Sequence, residues 1–221
     1  MKHFNQDKII NLPSRYRAQL VNCLSGFKSA NLIATCNEDG QTNVAIFSSV
    51  VHLGSSPALV GFVVRPDNVE RHTLENIKQT KQYTINQVNE SFWQQAHQTS
   101  ARYLALESEF DLCGLSSRYI EGIEAPFVNE SQLQYALTLK EIIPIKLNNT
   151  LLVIGQVTDI FCQDTAIKQD GYIDIESLNT VALSGLDSYH VSQRLSRLSY
   201  AKPDKSVQRL AVDRQSELGT L

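Results

Sequence analysis

Most apolar residues of this chain fall in short, β-branched runs bounded by Gly, Pro, Asn and Asp, and only a few segments carry helical spacing. Pro13 to Leu24 is the first of those few. Pro13 suits a first helical turn, Ala18, Leu20 and Val21 supply apolar positions, and Gly26 follows as a stop. Two strands come next, Ala30 to Cys36 and Thr42 to Val51. They join through Asp39-Gly40, whose glycine takes positive φ at no steric cost. A third strand, Ala58 to Val64, lacks polar residues and reads as buried on both faces. After Arg65-Pro66, Asp67 and Glu70 have the spacing of a capping box. They predict a helix from Thr73 to Gln79, then a strand from Gln82 to Val88.

Residues 91 to 113 contain neither Pro nor Gly and predict one or two helices, while Gly114 to Ser131 reads as a loop. Tyr135, Leu137 and Leu139 alternate with more polar neighbours, and Val153, Val157 and Phe161 do the same. Asn148-Asn149 supplies the turn of a second hairpin. Tyr189 to Ala201 closes the ordered part, with Val191, Leu195 and Leu198 as a helical packing stripe, and a mobile tail is expected from Lys202. The order is β-rich, helical, then β-rich again. It predicts one α+β domain over residues 1–221, with a core at about 13–201, built on an antiparallel β-barrel with flanking helices.

Composition narrows the function classes. A net charge of −3 without basic clusters gives no footprint for nucleic acid. No apolar run approaches the roughly 18 residues of a membrane span. The opening MKHFNQDKII lacks a signal-peptide core, so a cytoplasmic protein is expected. Cysteines 23, 36, 113 and 162 match neither zinc-site nor disulfide spacing, and Cys36 and Cys162 read as buried, reduced thiols. No metal site and no nucleophile–base pair stands out.

The candidate chemistry lies between residues 42 and 86. Phe47, Ser48, Ser49 and Val50 interrupt two β-rich runs with small hydroxyl residues, leaving room for a flat ligand to approach strand backbone. Arg71, His72 and Thr73 open the helix that follows, where free N–H groups and a cation would seat a phosphate. Asn43, at the strand start, is either a turn residue or a partner for the ring edge. A ligand with an aromatic ring at one end and a phosphate at the other fits both halves, and flavin mononucleotide (FMN) is such a ligand. His52, Glu109-Phe110 and the Arg118-Tyr119 loop read as structural, as does most of the Tyr189-His190 region.

Taken together, NVAIFSSVVHLGSSPAL, RHTLENIKQTKQYTIN, SEFDLCGL, LLVIGQV and GLDSYHVSQRLSRLSYAKP make the chain resemble the flavin reductase-like proteins of the FMN-binding split-barrel fold. The resemblance spans roughly Phe27 to Pro203. It implies a homodimer with FMN near the subunit boundary, its ring against the backbone of Phe47 to Val50 and its phosphate at the helix corner. Family members often carry Lys-Asp-Thr at that corner, where this chain has Arg71-His72-Thr73. Arginine keeps the charge in a planar fork, and histidine removes an opposing carboxylate. Many members also show two prolines where this chain has Pro57-Ala58. The activity implied is hydride transfer from NADH or NADPH to FMN, with an oxygenase or another acceptor taking the electrons. The alternative is a flavin-binding electron carrier or sensor without nicotinamide chemistry. No Gly-x-Gly-x-x-Gly motif marks a separate dinucleotide site.

Overall fold

The computed structural model describes residues 1–66, 72–104 and 106–213. Its helices are α1 (Gln6–Ile10), α2 (Ser14–Cys23), α3 (His72–Thr80), α4 (Trp93–Gln98) and α5 (Glu109–Cys113). The first strands are β1 (Lys28–Ser29), β2 (Asn31–Cys36), β3 (Thr42–Phe47), β4 (Val51–Ser55), β5 (Ala58–Val64) and β6 (Gln82–Gln87). Then come β7 (Ser117–Ile120), β8 (Ile123–Val128), β9 (Leu133–Ile145) and β10 (Thr150–Cys162). The last are β11 (Val181–Ser184), β12 (Ser188–Val191), β13 (Arg197–Leu198) and β14 (Arg209–Leu210).

Seven strands form one antiparallel sheet in the order β3-β2-β6-β9-β10-β5-β4. Its two edge strands, β3 and β4, are neighbours in sequence, separated by Ser48, Ser49 and Val50 alone. Laid flat, seven strands would hold those edges roughly 29 Å apart. The chain from Phe47 to Val51 reaches at most about 14 Å. The sheet must therefore curl until its edges approach, yet no described pairing joins β3 to β4. The result is a barrel open along one seam, and the three residues named above cross that seam.

Strand β2 shows how the core is divided. All six of its residues are buried. Leu32 and Ala34 face a cluster with Val44, Phe92, Phe110 and Val128, under α4 and α5. Ile33, on the opposite face, belongs to the barrel interior with Phe62, Tyr83, Ile85, Leu137 and Val153. Helix α3 closes one end of that interior with Leu74 and Ile77. On β10, a Cβ at Gly155 would lie 2.0 Å from the Tyr83 hydroxyl, so the barrel accepts this tyrosine only because that position has no side chain.

Several sequence expectations need correction. The strand read as Thr42 to Val51 is two strands with a break at residues 48–50. Gly114 to Ser131 is not a loop: β7 and β8 form a hairpin whose Pro126 carbonyl accepts a bond from Thr84. Residues 189–201 are not helical, and Val191, Leu195 and Leu198 are exposed. Beyond Lys202, β14 pairs with β13. Cys113, rather than Cys162, accompanies Cys36 among the buried thiols, and all four cysteines are free. Asp67 and Glu70 lie outside the described residues.

Candidate functional site

The seam is where backbone groups lose their partners. Continuing the β4–β5 register past Val51 opposite Gly61 brings Ser49 opposite Val63. There the serine side chain stands in for strand backbone: Ser49 Oγ donates to the Val63 carbonyl at 3.0 Å and accepts from the Val63 N–H at 3.1 Å. This pins the crossing segment to β5 without using its main chain. Among the described residues, the N–H groups of Ser48, Ser49 and Val50 have no backbone acceptor. All three residues are half-buried. Polar backbone so placed ordinarily finds a partner, because an unpaired buried N–H costs about as much as a lost hydrogen bond.

The neighbouring side chains form an apolar floor. Phe47 meets Phe62 edge-on, with centroids 5.1 Å apart, and Val50 packs on the same interior cluster. The Ser48 hydroxyl has no partner among the described residues. The structure thus keeps Phe47, Ser48, Ser49 and Val50 together, but gives Ser49 a structural duty and leaves donation to the main chain.

The other end of β3 meets α3. Asn43 is buried, and its amide donates to Thr73 Oγ1 at 2.9 Å. Thr73 and His72 form the first turn of the nine-residue helix, whose leading N–H groups have no partner within it. Arg71 lies outside the described residues. Along β3, Asn43 and Phe47 are roughly 14 Å apart.

One residue read from sequence as packing has a larger part. Glu109 opens α5 and is 5% exposed. Its Oε2 accepts from the Val44 N–H at 3.0 Å, capping the open edge of β3. Burial pushes its carboxyl above the usual glutamate range, while that backbone bond and nearby His72 pull the other way. The available signal was a carboxylate among the apolar residues of a short helix stopped by Gly114. His52 is exposed on β4. Tyr189 packs with Trp93 and bonds His97 Nδ1 at 3.0 Å, on the separate sheet β1-β11-β12. Burial raises its hydroxyl pKa to about 12.

A polar cleft of about 140 Å³ lies between α3 and the turn joining β2 to β3. No described group of His, Cys, Asp and Glu is arranged to hold a metal ion. No described helix is long and apolar enough to cross a membrane.

A curled antiparallel sheet with an open seam, helices against its outer face and free main chain at the seam defines the split-barrel class. Residues 24–176 match the flavin reductase like domain, and the chain belongs to that family. It is 50% identical to a candidate flavin reductase with split barrel domain from Shewanella frigidimarina NCIMB 400, with a TM-score of 0.88 over 91% of this chain and 100% of that one. Nitrilotriacetate monooxygenase component B from Bacillus cereus superposes with a TM-score of 0.78 at 20% identity, over 90% and 98% of the two chains. Flavoredoxin of Desulfovibrio vulgaris (Miyazaki F) gives 0.68 at 19%, over 82% and 93%.

Proposed function

We propose that this protein binds FMN across the seam and reduces it with NADH or NADPH. The observation that carries the reading is a run of three half-buried residues, 48–50, whose N–H groups have no described backbone acceptor, just past the end of a strand whose other end meets a helix tip. Those donors suit the carbonyl-bearing edge of an isoalloxazine, and they would stabilise the negative charge of a reduced ring as an oxyanion hole does. Phe47 and Val50 supply the apolar floor. Thr73, His72 and Arg71 seat the phosphate at the α3 tip, with Asn43 holding Thr73 in place. A tricyclic ring joined to phosphate by a five-carbon chain can span the distance along β3. When bound, the flavin supplies the redox chemistry, and the chain contributes binding, orientation and electrostatics. No acid–base residue is required of it.

A homodimer belongs to this reading. Leu53 and Leu152 cover the outer face of Gly61, with Leu53 43% exposed, and Val51 and Ile143 flank them on paired strands. This apolar patch adjoins the seam, so a second copy seated there would bury the patch and shield the ring. Four free thiols suit a reducing, cytoplasmic setting.

Absorption and fluorescence titrations with FMN test binding, and anaerobic addition of NADH or NADPH tests reduction. Bleaching of the bound flavin is expected. Tight FMN binding without bleaching would make the protein a carrier reduced by another protein, and absence of FMN binding would end the flavin reading. Arg71→Ala should weaken FMN about tenfold or more while sparing riboflavin, which has no phosphate. Equal loss of both ligands would reassign Arg71 to structure.

A further inference from the structure

Main-chain donors at residues 48–50 meet only part of a flavin's pyrimidine edge. That edge presents a carbonyl, an N–H and a second carbonyl in turn. Backbone N–H groups can serve the carbonyls but not the N3–H between them. A buried N–H without an acceptor costs about as much as a lost hydrogen bond. A site built for this edge therefore needs an acceptor within reach of the Phe47 floor.

One such acceptor stands uncommitted. Asn31 on β2 is the register partner both of Phe47 on β3 and of Gln87 on β6, so the three make one row across adjacent strands. Residues paired in this way project from the same face of a sheet. That face is the barrel interior, to which Phe47, Ile33 and Ile85 belong. Gln87 ends β6 and is half-buried, yet its Oε1 is buried and receives no hydrogen bond among the described residues. The neighbouring amides are engaged. Asn31 donates to Ser29 Oγ at 2.8 Å, and Asn86 donates to the Leu32 carbonyl at 3.3 Å and accepts from the Val128 N–H at 2.9 Å. Asn89 donates to the Glu130 carbonyl at 3.1 Å, and Gln134 bonds Arg118 and the Val128 carbonyl. The unpartnered Tyr83 hydroxyl is a different case, since it is sealed against Gly155 with no exposed surface, whereas Gln87 lies at the end of its strand. Gln87 is two strand spacings from Phe47, roughly 10 Å. A glutamine side chain and a ring laid over Phe47 can close that gap between them.

We propose that Gln87 accepts a hydrogen bond from the flavin N3–H, and so orients the ring and selects an unsubstituted pyrimidine edge. This role rests on the flavin reading and deepens it. A polar group left unpaired inside a protein costs stability. The ligand-free chain therefore carries Gln87 at a cost that the flavin relieves. An apolar residue of similar size should leave the free protein at least as stable, whereas replacing a glutamine kept for structure would destabilise it.

Two changes test it, one in the ligand and one in the protein. The unaltered chain, titrated by flavin fluorescence, should bind FMN about tenfold more tightly than 3-methyl-FMN, whose methyl group replaces the donated hydrogen. Gln87→Ala removes the amide and leaves room for that methyl group. It should bind FMN about tenfold more weakly and no longer distinguish the two flavins. Gln87→Met, which keeps the length without the amide, should show the same FMN loss and a denaturation midpoint, measured without flavin, no lower than that of the unaltered chain. Equal affinity of the unaltered chain for FMN and 3-methyl-FMN overturns the assignment, on the natural sequence alone. Discrimination that survives in Gln87→Ala places the N3–H contact elsewhere and overturns it too, as does a lowered midpoint in Gln87→Met with FMN affinity unchanged. Failure of the unaltered chain to bind FMN at all is a separate result: it ends the flavin reading itself, and the role of Gln87 with it.

Discussion

Two aromatic rings sit at the centres of two very different neighbourhoods. Phe62 lies in the barrel interior with no exposed surface, edge-on to Phe47 at 5.1 Å and to Tyr83 at 5.7 Å. Tyr172 lies where the C-terminal strands cross the 168–176 loop, with the Arg197 guanidinium 4.1 Å and the Arg194 guanidinium 5.7 Å from its centroid. Around it Arg197 pairs with Asp170, Arg194 with Asp174 and Glu176, and Lys168 with Asp213. The first ring is held by exclusion of water, which salt barely touches and which acts at every pH. The second is held by charges near solvent, each worth little alone and weakened by salt. The difference teaches where rigidity is invested: in the barrel wall that carries the seam, rather than in the strap laid over the outside.

Truncating the buried ring should show the largest effect. Phe62→Ala removes a ring that three elements share and leaves a cavity between Phe47 and Tyr83. A loss of about 3–5 kcal/mol in denaturant-measured stability is expected. Because Phe47 forms the floor beside the seam, FMN affinity should fall with it even where the fold persists. A loss below about 1 kcal/mol would mean that the interior repacks freely, and the contrast with the strap would lose its basis.

Glu109 sharpens the comparison, since it is a charge placed inside the well-packed half. Glu109→Ala strands the Val44 N–H at the buried strand edge, at a cost of about 1–3 kcal/mol. Glu109→Gln keeps an acceptor oxygen and should cost less. The pH dependence fixes the sign. Burial raises the folded carboxyl above its unfolded value, so ionised Glu109 costs the folded state stability at neutral pH. That cost vanishes as pH falls below the unfolded value of about 4.3. Stability of the unaltered protein should therefore rise relative to Glu109→Gln between pH 7 and pH 4, as followed by chemical denaturation.

What the sequence made legible follows the same division. Strands such as Ala58 to Val64 and the Asn148-Asn149 hairpin announce themselves because burial and turn chemistry are local demands. The Ser48-Ser49 interruption was visible too, but not its physical meaning: the register placing Ser49 opposite Val63 depends on β5, which comes later in the chain. Glu109 was missed for the same reason, since its partner, the Val44 N–H, is 65 positions away. Residues 114–131 misread as loop because β7 is only four residues long, and Gly122, Pro126 and the charges at Arg118 and Glu124 interrupt the apolar pattern of the hairpin. The stripe at Val191, Leu195 and Leu198 misread as helix because three apolar residues fit helical spacing without the tertiary partner that would bury them. The polar cleft had no local signature, as its polar side chains come from a turn, a strand, a helix and a later loop.

The strap should give the smallest global effect and the clearest local one. The Arg197 hydrogen bond, foremost, holds the Asp170 carboxyl below the usual aspartate range. A depressed folded value means that the stabilisation is complete above the unfolded pKa of about 3.9 and is lost as pH falls through the lower folded value. At neutral pH the clip is therefore intact, and salt is the agent that loosens it. Arg197→Ala also removes the 2.9 Å bond to the Val212 carbonyl and the guanidinium over Tyr172. Amide exchange across residues 197–212 should quicken severalfold in this variant or in high salt, while global unfolding shifts by no more than about 1 kcal/mol. FMN affinity should not change, because no strap residue reaches the seam in this reading. Slowed exchange in salt, or a global loss as large as that of Phe62→Ala, would show that the strap shares the barrel's cooperativity and is not held separately by charge.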